Sequence, residues 1–195
     1  EQGQAVLDVC AVLGSVAPHV DAALHASFVP LLDALVRVAQ SEYAVVRAAA
    51  ARCFSVLATC LVDEAMHRLV EDVVPLLGDA DLHRRQGAMD VVSCTVRTPD
   101  ERVLPYVLFL VVPVLGRMSD PHESVRLLAT NTFAELVKLV PLIHGLPAPP
   151  NFSPALLARR ETEKAFLTQL LDGSQVQPYV PPVEMKVQLR PYQLE

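Results

Sequence analysis

A chain of 195 residues is long enough to bury about 70% of the surface that its unfolded form would expose, so it can fold without disulfides or metals. Apolar residues make up 52% of it, aromatic residues only 5%, and tryptophan is absent, which predicts a core of closely packed Ala, Val and Leu on helices. The net charge of −6 argues against a broad phosphate-binding face, although a local basic stripe stays open.

Three paired-helix blocks follow a leading helix at residues 4–17. In each block a proline-containing apolar helix precedes a short polar turn and a second helix that opens near an arginine. The first block pairs a helix over 25–39 with an Ala-rich helix over 46–60, across the turn at 40–42. The leading helix is then the second helix of an incomplete repeat.

The second and third blocks repeat this order. Pro75 and its neighbours lead through the turn at 78–81 to a helix that ends near Arg97. The third block places an apolar helix over 103–115 and a second helix that ends near Val140. Because prolines interrupt the apolar stretch and it is shorter than the ~20 residues of a membrane-spanning helix, we expect a buried helix there and no membrane contact.

The arginines of the three second helices recur at a regular period. Arg47, Arg85 and Arg126 lie 38 and 41 residues apart, as in HEAT and armadillo units. Each helix is apolar over too wide a face to stand alone, so neighbouring repeats have to cover it. The sequence therefore predicts an all-α fold, with a HEAT/armadillo-like α-solenoid over residues 1–140. An unrelated helical bundle is the alternative, because periodicity alone does not fix how helices connect.

The run from Asp120 to Arg126 resembles the HEAT signature, in which a turn aspartate is followed by Val-Arg at the start of the second helix. The resemblance implies that Asp120 and Arg126 form a structural pair between neighbouring repeats. Two looser pairs follow the same pattern: Glu42 with Arg47, and Asp81 with Arg85. The alternative is that these are ordinary exposed ions, each pair contributing at most about 1 kcal/mol.

The C-terminal third has a different pattern. Residues 141–153 are proline-rich and non-periodic, which predicts a linker. Ser153 and Pro154 are typical of the cap and first turn of a helix, and we expect that helix over 154–173. Residues 174–195 are proline-rich and predict an extended entry into another domain.

Three runs in this third carry a more specific resemblance. Phe166–Gly173, Pro178–Tyr179 and Leu189–Gln193 occur in an order that closely resembles the junction between repeats and motor in the TATA-binding-protein-associated factors of Mot type. Those factors belong to the Snf family of helicase-like ATPases. The match spans roughly residues 105–193. It implies that residues 174–195 are the lead-in to an ATPase motor that is absent from this chain, and that Gln193 would lie near the nucleotide adenine in an intact motor.

The resemblance implies a scaffold or coupling segment of a nuclear transcription regulator. The intact parent would remove TATA-binding protein from promoter DNA with ATP and magnesium, so TATA-binding protein and DNA would be partners of the full-length protein. We expect the chain itself to be a monomer. Two other interpretations stay open: a generic HEAT adaptor of the transport or phosphatase scaffold type, and an independent ATPase.

The residues themselves predict no catalytic, cofactor-binding or metal site in this chain. The sequence has no Gly-x-x-x-x-Gly-Lys-Ser/Thr loop, so no run of backbone amides is present to hold a triphosphate. Asp63 and Glu64 resemble an acidic magnesium-binding pair, but their position between two repeats favours a structural turn. The six histidines are dispersed and form no metal-binding pair on a helix.

One basic cluster lies within the repeats, at His83-Arg84-Arg85. Because it stands at a predicted helix N-terminus, Arg84 and Arg85 are candidates for contact with an anion, either a DNA phosphate or an acidic partner.

The four cysteines lie in apolar stretches and form no CxxC pair; they are Cys10, Cys53, Cys60 and Cys94. This pattern predicts reduced, buried thiols and an intracellular protein.

Overall fold

The computed structural model describes residues 2–98, 100–143, 146–148 and 152–171, and these ranges contain helices and turns but no strand. The predicted all-α fold class is therefore confirmed. The chain divides into two compact units, Glu1–Asn151 and Phe152–Glu195. The extended segment predicted for 174–195 lies outside the described residues.

The helices of the first unit, in chain order, are α1 (Gln2–Val16), α2 (Val29–Val38), α3 (Ala44–Cys60), α4 (Val62–Arg68), α5 (Val74–Leu76), α6 (Leu82–Val96), α7 (Leu108–Arg117) and α8 (Glu123–Ile143). The second unit contains α9 (Pro154–Leu171). Shorter 3₁₀ segments occur at Ala17–His19, Ala22–Phe28 and Glu101–Tyr106, and a π-helical turn at Leu69–Val73 joins α4 to α5.

The helices of the first unit form two layers. One layer contains the second helix of each hairpin, with α1 packed on α3, α3 on α6, and α6 on α8. The other layer contains the first helices, where α2 packs on α4 and α4 packs on the 3₁₀ segment before α7. Successive hairpins with the same contacts make this unit an α-solenoid.

The first helices are less regular than the sequence predicts. Instead of continuous helices over 25–39 and 103–115, 3₁₀ segments precede α2 and α7. Proline is the physical reason, because it lacks an amide hydrogen and its ring collides with the carbonyl four residues earlier. Ahead of Pro75 the chain adopts a π turn, in which the Val74 amide bonds the Leu69 carbonyl five residues back.

Small side chains allow the second helices to approach closely. Ala49, Ala50 and Ala51 are buried on α3, where that helix meets its neighbours. Gly87 on α6 has the closest approach, since a Cβ placed there would lie 1.6 Å from the backbone oxygen of Ala39. Larger apolar side chains complete the core, including Leu32, Phe54, Leu57, Met89 and Leu136.

The last helix of the solenoid is longer than the sequence predicts. α8 continues to Ile143 with Pro141 in its final turn, where the helix ends within two residues of the hydrogen bond that proline removes. In the second unit α9 begins at Pro154, and the Leu156 amide donates to the Ser153 hydroxyl at 3.2 Å. Among the described helices, none has the length and hydrophobicity required to span a bilayer.

Candidate functional site

Three arginines occupy equivalent places in the three hairpins, and we call them the arginine ladder: Arg47, Arg85 and Arg126. In each of them Nη1 donates to the two carbonyl oxygens that lie six and five residues earlier. The acceptors are Ser41 and Glu42 at 2.9 Å each, Asp79 and Ala80 at 2.9 Å each, and Asp120 and Pro121 at 2.8 and 2.9 Å.

The ladder forms because the turn before each second helix leaves carbonyl groups that no helical amide can reach. Arginine suits this position, since its planar guanidinium offers five donors in a fixed arrangement and never loses its charge. Arg47 and Arg85 are buried, with 6% and 9% of their surface exposed. The ladder therefore holds each second helix to the turn that precedes it.

Arg85 also links two repeats through the buried carboxylate of Asp120. Its Nε donates to Oδ2 at 2.9 Å and its Nη2 to Oδ1 at 3.4 Å. Asp120 accepts two further hydrogen bonds, from Arg117 at 3.2 Å and from the His122 amide at 2.9 Å. Burial works to raise the pKa of Asp120, but the His122 amide and the two arginines together hold it below its usual range.

These contacts correct the pairing expected from the sequence. Arg126 bonds the backbone oxygen of Asp120, while the Asp120 side chain is paired with Arg85 of the preceding repeat. Glu42 likewise offers Arg47 its backbone oxygen. The Asp81 side chain caps α6 by accepting from the Arg84 amide at 3.0 Å. An arginine five or six residues after a turn reaches the turn carbonyls, so the carboxylates are left for other donors.

The contact from Arg47 to the next repeat is longer. Its Nε lies 3.8 Å from Oδ2 of Asp90 and has no hydrogen-bond partner among the residues that the structure describes. Asp79 holds the turn position equivalent to Asp120, but its carboxylate accepts from Arg84 at 3.1 Å and from the Asp81 amide at 2.8 Å. Burial raises the pKa of Asp90, with the charge of Arg47 acting in the opposite direction.

Sequence reasoning missed several other bonds between repeats. The pairs are Arg68 with Asp33 (2.9 Å), Ser55 with the Cys94 carbonyl (3.0 Å) and with Thr98 (2.6 Å), Arg102 with the Thr59 carbonyl (2.9 Å), Tyr106 with Asp63 (3.2 Å), and Gln86 with Ser124 (2.8 Å). Their partners lie 35 to 43 residues apart, which is one repeat. A search for polar pairs at the repeat period could have found them.

Asp63 and Glu64 lie in the first turn of α4, where acidic side chains favour a helix start. Asp63 accepts a hydrogen bond from Tyr106 in the next repeat. Burial, together with the charge of Asp63, raises the pKa of the Tyr106 phenol. This pair has a structural role as a link between repeats.

The two anion-contact candidates differ in exposure. The guanidinium of Arg85 is bound to Asp120 inside the protein, so it is not free for a phosphate. The Arg84 side chain is half-exposed and paired with Asp79. Gln193 lies outside the described residues. Within the part of the chain that the structure describes, His, Cys, Asp and Glu side chains form no group of three that could hold a metal.

Stacked hairpins with a repeated arginine at the turn define the class of protein as a HEAT-type α-solenoid. A family model described as "Stalled ribosome sensor GCN1-like, HEAT repeats" matches residues 9–144. The chain belongs to the HEAT-repeat family.

Curated relatives narrow the comparison to one kind of HEAT protein. The chain is 45% identical over 196 residues to "TATA-binding protein-associated factor mot1" of Aspergillus fumigatus and 39% identical over 191 residues to human "TATA-binding protein-associated factor 172". It is 40% identical over 198 residues to "TATA-binding protein-associated factor MOT1" of Saccharomyces cerevisiae. These alignments cover 100%, 97% and 99% of the chain but 10% of each relative.

The matches confirm the resemblance to Mot-type factors, and they extend it from residues 105–193 to the whole chain. The chain spans about a tenth of the length of these relatives. Similarity along the full chain supports a segment of such a transcription regulator over a generic HEAT adaptor.

Proposed function

We propose that this chain is the coupling scaffold of a nuclear transcription regulator that removes TATA-binding protein from promoter DNA at the expense of ATP. The relatives are named as factors associated with TATA-binding protein, and the resemblance of Leu189–Gln193 to the start of a motor supports the ATP-driven step. TATA-binding protein and DNA are then partners of the full-length protein, and ATP with magnesium binds its motor. The chain itself acts as a monomeric scaffold without a cofactor.

The observation that carries this proposal is the series of bonds between repeats. Arg68 with Asp33, Ser55 with Cys94, and Arg85 with Asp120 each join one repeat to the next. Together with the packed second helices, these bonds oppose movement of one repeat against the next. A stack of that kind can transmit force between a partner and a motor, whereas flexibly joined repeats would absorb it.

A variant of the intact protein that loses one link while keeping its packing tests the coupling role. Replacing the pair by apolar residues of similar size, Arg85→Met with Asp120→Leu, removes the directional bonds between the repeats. Arg117, which also loses its partner, is partly exposed and can be solvated. We expect ATP hydrolysis to persist while the amount of TATA-binding protein released per ATP falls. The matched control is Lys138→Met with Glu135→Leu, an exposed pair within α8 that joins no repeats. Equal release per ATP in both variants would reject the proposal.

The second unit offers an independent test. Deleting Phe166–Leu171, the end of α9, should leave nucleotide hydrolysis in the intact protein and abolish displacement of TATA-binding protein. Thr162→Ala, an exposed change in the same helix, serves as control. Displacement that survives the deletion unchanged would show that α9 has no part in coupling. Binding of labelled ATP to the isolated chain would instead support an independent ATPase.

A further inference from the structure

Two buried cysteines meet where α1 packs on α3. Cys10 lies on α1 with 6% of its surface exposed, and Cys53 lies on α3 with 2% exposed. The thiol of Cys53 donates a hydrogen bond to the sulfur of Cys10, and both residues are free cysteines. A disulfide requires two side chains that already approach each other closely. The contact therefore marks a place where one can close with little movement of either helix.

A cavity of about 300 Å³ lies beside this pair of thiols. Its lining includes Cys10, Ala11, Gly14, Ala49, Arg52 and Cys53. The Arg52 side chain is exposed to solvent, so the cavity can be entered from the surface. A water molecule occupies about 30 Å³ and hydrogen peroxide roughly twice that volume. A small oxidant can therefore reach both sulfur atoms without unfolding of the helices.

The surroundings give the two thiols different reactivities. Burial raises the pKa of Cys10, while the hydrogen bond from Cys53 and the charge of Arg52 act in the opposite direction. For Cys53 the neighbouring sulfur adds to the effect of burial, and the pKa rises to about 12. Because the thiolate is the nucleophile, Cys10 reacts first. Burial keeps this reaction slow at neutral pH, so the pair stays reduced until an oxidant accumulates.

We propose that Cys10 and Cys53 form an oxidation site, at which a peroxide converts the two thiols into a disulfide that joins α1 to α3. The Cys10 thiolate attacks one oxygen of hydrogen peroxide, the O–O bond breaks, and hydroxide leaves and takes up the proton that Cys10 released. The sulfur of Cys53 then attacks the resulting sulfenic acid, whose oxygen leaves as water with the Cys53 proton. The two thiols are oxidised, and the peroxide is reduced to two molecules of water.

The disulfide changes the joint between two successive second helices. In the reduced protein α1 is held on α3 by packing, whereas in the oxidised protein a covalent bond prevents the two helices from separating. A thiol reductant reverses the bond by exchange. In compartments that keep thiols reduced, disulfides are usually transient and respond to oxidants. The site therefore adds a reversible covalent link at one end of the described solenoid.

Peptide mapping tests the site directly. This chain is treated with hydrogen peroxide, the peroxide is removed, and free thiols are blocked with N-ethylmaleimide in denaturant before digestion without reductant. We expect a peptide pair joined through Cys10 and Cys53, lighter by two hydrogens than the separate peptides, that disappears on reduction. Cys94 is the internal control, because burial raises its pKa as well but its further shifts come from charged side chains. It should appear in no disulfide.

Two variants test the order of the steps. In Cys53→Ala the sulfenic acid on Cys10 has no neighbouring thiol to react with, so dimedone should trap it there. In Cys10→Ala the thiol that reacts first is missing, and Cys53 should stay reduced. Oxidation should raise the thermal midpoint of the wild-type chain by about 5 °C or more, since closing a loop reduces the entropy of the unfolded chain. Neither variant should show this rise.

Disulfides to Cys60 or Cys94 in comparable yield would overturn the proposal, because they would show that the thiols meet only after the chain opens. A map in which both Cys10 and Cys53 stay reduced, or in which each carries a separate sulfinic acid, would also overturn it. The same holds for a disulfide between two copies of the chain, seen as a dimer on a non-reducing gel. These measurements involve neither nucleotide nor TATA-binding protein, so they do not depend on the coupling function.

Discussion

Asp120 is the residue at which three parts of the solenoid meet. Its carboxylate accepts from Arg85 in the preceding repeat, from Arg117 at the end of α7, and from the His122 amide in its own turn. A buried carboxylate is tolerated only when donors and opposite charges surround it. Asp120 therefore links α6, α7 and the turn before α8 through one side chain.

Removing this carboxylate should destabilise the protein strongly. Asp120→Ala leaves the Arg85 guanidinium buried without its partner, and breaking a buried pair from one side costs about 3–5 kcal/mol. Urea denaturation followed by circular dichroism measures the free energy of unfolding. Glu135→Ala, which breaks an exposed pair with Lys138, is the control and should change that free energy by about 0.5 kcal/mol or less. A comparably small loss for Asp120→Ala would contradict this account of the pair.

Acid should remove the contribution of Asp120. Its pKa in the folded protein lies below the usual value of 3.8, so the folded state favours the charged form. The resulting stability is fully present above the unfolded pKa and is lost as pH falls through the folded pKa. We expect the difference in unfolding free energy between wild type and Asp120→Asn to be constant near neutral pH and to vanish in strong acid. A difference that grows on acidification would show the opposite shift.

The residue scale also shows where sequence reasoning stops. The positions of Arg47, Arg85 and Arg126 could be predicted, because a repeat places the same residue type at the same point of each hairpin. Their partners could not be predicted, because they depend on which acceptors each arginine side chain can reach in the folded protein. An arginine side chain finds the turn carbonyls of its own repeat first, and the carboxylate of Asp120 is then satisfied from the repeat before.

At the scale of elements, the second helices were predictable to within a few residues and the first helices were not. An Ala-rich sequence with a turn before it defines α3 clearly, and the polar turn at 78–81 does the same for α6. In the first helices the effect of proline depends on context. The chain can meet Pro30 or Pro75 with a 3₁₀ segment, a π turn or a kink, and tertiary packing selects among them.

Gly87 allows α6 to pack closely against the end of α2, and replacing it should lower the stability of the protein. In Gly87→Ala the new Cβ would collide with the backbone oxygen of Ala39, so α6 has to move away from the end of α2. Overpacking costs about 1–3 kcal/mol or more, against a gain in helix propensity of about 1 kcal/mol. Because the obstacle is backbone, we expect the collision to dominate and the thermal midpoint to fall. Gly14→Ala in α1 meets nothing within 4 Å and should raise the midpoint instead.

At the scale of the whole solenoid, the arginines of the ladder differ in how closely they contact a carboxylate of the next repeat. Between α6 and the turn before α8 the contact is a hydrogen-bonded ion pair of Arg85 with Asp120, at 2.9 Å. Between α3 and α6, the Nε of Arg47 lies 3.8 Å from the carboxylate of Asp90. Burial raises the pKa of Asp90 despite the nearby arginine, which indicates that the charge is poorly compensated. The ion pair between α3 and α6 is therefore the weaker of the two.

A side chain one methylene longer should close this gap. In Asp90→Glu the carboxylate can advance by about 1.5 Å, which brings it from 3.8 Å to hydrogen-bonding distance of the Arg47 Nε. A hydrogen bond between charged groups contributes about 1.5–3 kcal/mol before the loss of rotamer freedom. We therefore expect the free energy of unfolding to rise by about 1 kcal/mol, measured by urea denaturation.

Asp8→Glu on α1 provides the matched control, because Asp8 is exposed and its carboxylate accepts from Gln4 in the same helix. Hydrogen exchange adds a spatial test: in Asp90→Glu, protection should increase in α3 and α6 and remain unchanged in α8. No gain in stability, or a gain spread evenly over the solenoid, would mean that the distance between Arg47 and Asp90 does not limit this joint. A local gain would show that each ion pair between neighbouring repeats stabilises its own joint, independently of the joint one repeat away.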